Sequence, residues 1–133
     1  MPQKQGSSST DGGRLDGSVG TAVTSAAFAL GAGWGGTASL AVRAGSTDQR
    51  GSVTITASAT TPAQATATVA FTFVDGAYAA TPSYFDVRLV ANSNAITEAQ
   101  PMSQTCTTTA LGWTHSVLPV AAATYTFNYC IIA

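Results

Sequence analysis

Apolar and polar residues alternate with period two along much of this chain. From Ser52 to Ala57, Val53, Ile55 and Ala57 fall on one face, and Ser52, Thr54 and Thr56 on the other. From Thr66 to Phe73, Ala67, Val69, Phe71 and Phe73 oppose Thr66, Thr68, Ala70 and Thr72. Tyr84–Val90 repeats the pattern, with Phe85, Val87 and Leu89 inward and Tyr84, Asp86, Arg88 and Val90 outward. Ala123–Ile132 is the strongest case: Tyr125, Phe127, Tyr129 and Ile131 share a face, opposite Thr124, Thr126, Asn128 and Cys130. Such alternation is the mark of a strand with one buried face.

Weaker signals fill the gaps. Thr37–Arg43 alternates through Ala38, Leu40 and Val42, Gln104–Ala110 is rich in strand-favouring threonine, and Trp113–Val120 follows Gly112 and is closed by Pro119. Thr21–Leu30 suits either a short helix or extended chain, and extended structure is the reading adopted. The glycine-bounded turn Arg43–Gly51, with Asp48 placed to cap nearby amides, precedes the first strong strand, and Asp75-Gly76 ends the second. The two strong strands on either side of the Thr-Pro segment are expected to pair antiparallel. Seven or so short strands with no long helix predict an all-β fold, an antiparallel β-sandwich or jelly-roll-like domain. The expected division is an extended polar, Gly-rich N-terminal arm over residues 1–36 and a β-sandwich domain over 37–133. Met1–Gly20, rich in Ser and Gly, lacks the apolar surface needed to offset its ordering entropy.

Charge changes the picture more than size does. Only 8% of the 133 residues are charged and the net charge is −1, against roughly a quarter charged in an average soluble domain. A surface so poor in charge is weakly defended against self-association, which points to coverage by copies of the chain or by a partner. Lys4, Arg14, Arg43, Arg50 and Arg88 are scattered. No basic stripe exists to release counterions from phosphates, so nucleic acid is not an expected partner. No run reaches the roughly 18 apolar residues of a membrane helix, and a secretory leader is not expected. Cys106 and Cys130 are the two cysteines and are expected to be free thiols, since two do not make a disulfide framework.

Candidate chemistry is thin. Gly31, Gly33 and Gly36 in GAGWGG match a dinucleotide-binding glycine pattern in form, but a strand rather than a helix is predicted to follow. A turn covered by Trp34 is the better reading. His115 is the one histidine, and no G-x-S-x-G elbow accompanies it. With Cys106 and Cys130 it makes only three potential zinc ligands, without a C-x-x-C pair. Asp48, Asp75, Asp86 and Glu98 offer carboxylates for glycoside cleavage without a pattern that favours it. Asp48 with Arg50, and Asp86 with Arg88, read as surface ion pairs. Trp34, Trp113, Tyr78 and Tyr84 are the candidate sugar platforms, with core packing preferred. No catalytic, cofactor-binding or metal-binding residue is assigned, and the chain is not expected to be an enzyme.

The succession GSTDQRGSVTITAS, ATVAFTF, an Ala-rich connector with Pro82, and the closing TYTFNYCI resembles a small all-β domain of tailed-bacteriophage structural proteins. That domain occurs at tail-fibre ends and in head-fibre or capsid decoration proteins. Its G-[ST]-[DN]-x-x-G turn is matched by Gly45, Ser46, Asp48 and Gly51, with one extra residue between Ser46 and Asp48. The likeness spans roughly Thr37–Ile132. It implies a virion structural protein without catalytic residues, often a homotrimer, located in the virion after assembly in the host bacterial cytoplasm. A decoration (cement or head-fibre) protein that contacts the major capsid protein through its N-terminal arm fits best. A distal tail-fibre domain that binds a host receptor or surface glycan is the alternative.

Overall fold

The computed structural model describes residues 20–60, 67–93, 102–115 and 119–133. Among these residues eight strands run in chain order: β1 (Phe28–Leu30), β2 (Ser39–Val42), β3 (Arg50–Thr56), β4 (Ala67–Thr72), β5 (Tyr84–Asn92), β6 (Met102–Cys106), β7 (Ala110–His115) and β8 (Thr124–Ile132). Two short 3-10 turns, Ser25–Ala27 and Ala32–Trp34, precede β1 and β2. The strands form two four-stranded antiparallel sheets, ordered β1-β4-β7-β6 and β2-β3-β8-β5. The all-β sandwich read from the alternation is therefore the fold.

The buried face of each strong strand is the predicted one. Val53, Ile55, Val69, Phe71, Val87, Tyr125, Phe127, Tyr129 and Ile131 all lie in the core. β8 is central in its sheet, pairing with β3 through Arg50↔Cys130 to Thr56↔Thr124 and with β5 on the other side. The β5–β8 register shifts between Leu89 and Ala91, a bulge that increases local twist.

Three expectations of pairing and extent do not hold. β3 and β4 do not pair with each other: β3 lies between β2 and β8, and β4 between β1 and β7. Their apolar faces enter one buried core instead, Val53 and Ile55 from one sheet and Val69 and Phe71 from the other. Gln104–Ala110 is not one strand. Thr107 turns the chain: its N–H donates to Ala110 O at 2.9 Å, and its Oγ1 accepts from the amides of Thr109 and Ala110 at 3.2 and 3.1 Å. The hydroxyl that suits threonine to strands here closes the β6–β7 hairpin. The strand expected over Trp113–Val120 starts earlier, at Ala110, and is described as far as His115; residues 116–118 lie outside the described residues, and Pro119 and Val120 are not in a strand.

Residues assigned to the arm on sequence grounds also build the sandwich. Phe28–Leu30 pairs with Val69–Phe71, and the Phe28 and Phe71 rings stack with centroids 4.6 Å apart. Trp34 does not merely cover a turn; it is fully buried at the centre of the core. Its indole Nε1 donates to Thr68 O at 3.0 Å, and its carbonyl accepts from Ser58 N at 2.9 Å. Around it lie His115, Tyr125 and Phe127. Gly31 lets this crossing come so close: a Cβ there would stand 2.0 Å from Thr68 Oγ1.

Candidate functional site

The side chains with chemical potential separate into those spent inside the fold and those left at its surface. His115, on β7, is 2% exposed. Its ring stacks on Trp34 at 5.9 Å and packs against Tyr125 and Phe127. Neither ring nitrogen has a hydrogen-bond partner among the described residues, and burial pushes the imidazole below its usual pKa. It is thus a neutral, aromatic core residue at neutral pH, with no nucleophile in hydrogen-bond reach among the described residues. Trp113 is also buried, packed on Phe127. Neither indole is available as a sugar platform, which removes the tryptophan-stacking idea. Tyr78 is half-buried against Phe73, its hydroxyl pushed up to about 12 chiefly by burial. Tyr84 is the exposed aromatic of the four, at 51%.

The carboxylates are similarly committed. Asp48 is buried, and its two oxygens accept from Val74 N and Asp75 N at 2.8 Å each. It caps amides, as its turn position predicts, but across 26 and 27 residues rather than locally. Among the described residues the ion pair is Arg88 with Asp86, at 2.8 Å on the outer face of β5; the expected Asp48–Arg50 pair is not made. Asp75 accepts from both the amide and the hydroxyl of Thr21. Asp48 and Asp75 do reach the rim of one small groove of about 140 Å³ with Tyr78, but each is already occupied. Glu98 lies outside the described residues. Cys106 and Cys130 are free, half-buried thiols on different sheets, and burial raises the Cys106 pKa. No group of three or more metal-ligating side chains occurs among the described residues.

The larger opening lies at the end of the β2–β3 hairpin. It is a groove of about 610 Å³ lined by residues 43–46 and 50–52 and by Asn128 and Tyr129. The turn beneath it is fixed from several sides. Ser46 Oγ donates to Arg43 O at 2.7 Å and accepts from Ser52 N at 3.2 Å. Tyr129 donates its hydroxyl to Thr47 O at 2.6 Å, and Ile131 N donates to Gln49 O at 2.8 Å. Gly45 takes a left-handed φ of 88° with open space beside it. Gly51 is required for packing, because a Cβ there would stand 2.5 Å from the Tyr129 hydroxyl oxygen and 2.6 Å from Ser46 Cβ.

Sequence reasoning saw Arg43–Gly51 as a turn and missed the groove. The signal was present in strand parity. Arg50 shares the outward face of Ser52 and Thr54, whereas Asp48, two residues earlier in the turn, goes inward. No family model, curated protein or solved structure matches this chain.

Proposed function

We propose that this chain is a structural protein of bacteriophage virions, and that it decorates the head as a cement or head-fibre protein that stabilises the shell. On this reading it acts as a homotrimer and contacts the major capsid protein through its N-terminal arm. The observation that carries the reading is the outer edge of the β2-β3-β8-β5 sheet. β5 is a nine-residue edge strand. Tyr84 stands 51% exposed at its start, in register with Ile132, which is 40% exposed, and Val90 stands 52% exposed near its end. Exposed apolar side chains on a long edge, in a chain with only 8% charged residues, suit a subunit whose edge is covered on assembly. The sequence resemblance supplies the virion setting.

The test is reconstitution. Particles lacking the protein should lose infectivity faster on heating, and adding back the full chain should restore resistance. Chain truncated by Met1–Gly20 should fold, as judged by a cooperative unfolding transition, yet fail to restore resistance. Equal heat resistance with and without the protein would defeat the reading. A receptor-binding domain at a tail-fibre tip is the second reading, favoured by the open polar groove at the β2–β3 hairpin.

A further inference from the structure

The groove at the β2–β3 hairpin holds the two described cations that the fold does not use. Arg43 and Arg50 both line it, and neither has an ion-pair or side-chain hydrogen-bond partner among the described residues. Arg88, the third described cation, is taken by Asp86. The described acids nearest in sequence are spent: Asp48 on the amides of Val74 and Asp75, and Asp75 on Thr21. Two positive charges therefore share one concave surface, and among the described residues no carboxylate lines it.

Bringing like charges to one groove costs free energy unless something of opposite sign sits between them. A guanidinium supplies a planar fork of donors matched to carboxylate and phosphate oxygens. The remaining lining adds neutral partners: the Asn128 amide on the outward face of β8, the Ser52 hydroxyl on the outward face of β3, and the Gly45 turn, where no side chain fills the space. A site of this composition differs from the mostly apolar pockets that take hydrophobic ligands. Its volume, about 610 Å³, admits a ligand of sugar-acid size.

We infer that this groove is a binding site for an oxyanion, a carboxylate or phosphate group, clamped between Arg43 and Arg50, with Ser52 and Asn128 contacting polar groups around it. The inference stands apart from the virion reading, since it concerns the ligand chemistry of the isolated domain.

The test is titration of the full-length, isotope-labelled chain followed by amide NMR. Three probes are used at constant ionic strength: glucuronate, inorganic phosphate and neutral glucose. Saturable shifts at the amides of Gly45, Gly51 and Asn128 are expected with the anionic probes and not with glucose. Response to glucuronate alone identifies a sugar-borne carboxylate as the source, and response to both identifies the bare oxyanion as sufficient. Arg43→Gln and Arg50→Gln should each weaken binding about tenfold, and the double variant should abolish it. Both side chains are exposed, so the variants should keep the wild-type unfolding midpoint. Rising salt should weaken binding as the charges are screened. The inference is overturned if no anionic probe gives saturable shifts, if glucose gives the same shifts as glucuronate, or if the double variant binds as wild type does.

Discussion

Asp48 is the sharpest point at which the account can be pressed. Its buried carboxylate joins the Arg43–Arg50 turn of one sheet to the end of β4 in the other, by accepting from Val74 N and Asp75 N at 2.8 Å each. Asp48→Ala removes both acceptors and leaves two backbone donors to find water. Hydrogen bonds to a charged group are worth about 1.5–3 kcal/mol each. Val74 and Asp75 are exposed, so water can partly replace the lost oxygens and the lower end applies. The expected loss is about 2–4 kcal/mol, a large share of the roughly 5–15 kcal/mol that stabilises a domain. Asp48→Asn keeps one acceptor but turns an N–H₂ group towards the other amide, so it should recover less than half of the loss. Equilibrium unfolding in urea, followed by the fluorescence of the buried Trp34 and Trp113, measures this directly. The midpoint should fall with little change in slope. A loss below about 0.5 kcal/mol for Asp48→Ala, the range of ordinary surface substitutions, would refute the view that this carboxylate ties the sheets together.

Other consequences are equally open to measurement. His115 has a pKa lowered by burial, so below its unfolded value of about 6.5 the unfolded chain binds a proton that the folded chain does not. Stability should then fall as pH drops below about 6.5, by up to about 1.4 kcal/mol per pH unit, and His115→Phe should remove that part of the slope; parallel pH curves would contradict it. Trp34→Ala should cost about 3–5 kcal/mol in urea unfolding, because a large central side chain with a hydrogen bond to Thr68 O is lost; a cost under about 1 kcal/mol would contradict its central place. Gln104 donates to Val87 O at 3.0 Å and accepts from Val87 N at 2.9 Å, so its amide occupies the open edge of β5. Gln104→Ala should free that edge for pairing and raise self-association in analytical ultracentrifugation, whereas an unchanged sedimentation profile would show that the edge is blocked by other means.

What was legible in the sequence, and what was not, follows from what alternation encodes. Period two states which face of a strand is buried, and for Val53/Ile55, Val69/Phe71 and Tyr125–Ile131 it did so correctly. It carries no information about which strand lies alongside. Closeness in the chain suggests pairing β3 with β4, whereas β3 pairs with β2 on one side and with β8, some 70 residues away, on the other. Aromatic residues outside alternating runs carry even less positional signal. Trp34, within a glycine-rich stretch, plugs the core because Gly31 lets the backbone approach Thr68. The groove depends on the same limitation: Asp48 and Arg50 look like a local ion pair, yet Asp48 is drawn inward by two amides that the chain reaches only after crossing between sheets. That crossing leaves Arg50 beside Arg43 in the groove without an ion-pair partner among the described residues.

The Gln104 clip and the exposed Tyr84–Ile132 pair also bear on assembly, since both lie at β5. The Gln104 amide at Val87 keeps the free chain from pairing at the centre of this edge, while Tyr84 and Val90 leave exposed apolar side chains towards its two ends.

The central functional claim is tested most directly by immunogold labelling of purified virions with an antibody to this chain. The account predicts gold over the whole head, in many copies per particle. Gold confined to the tail tip, or absent from every particle, would contradict it.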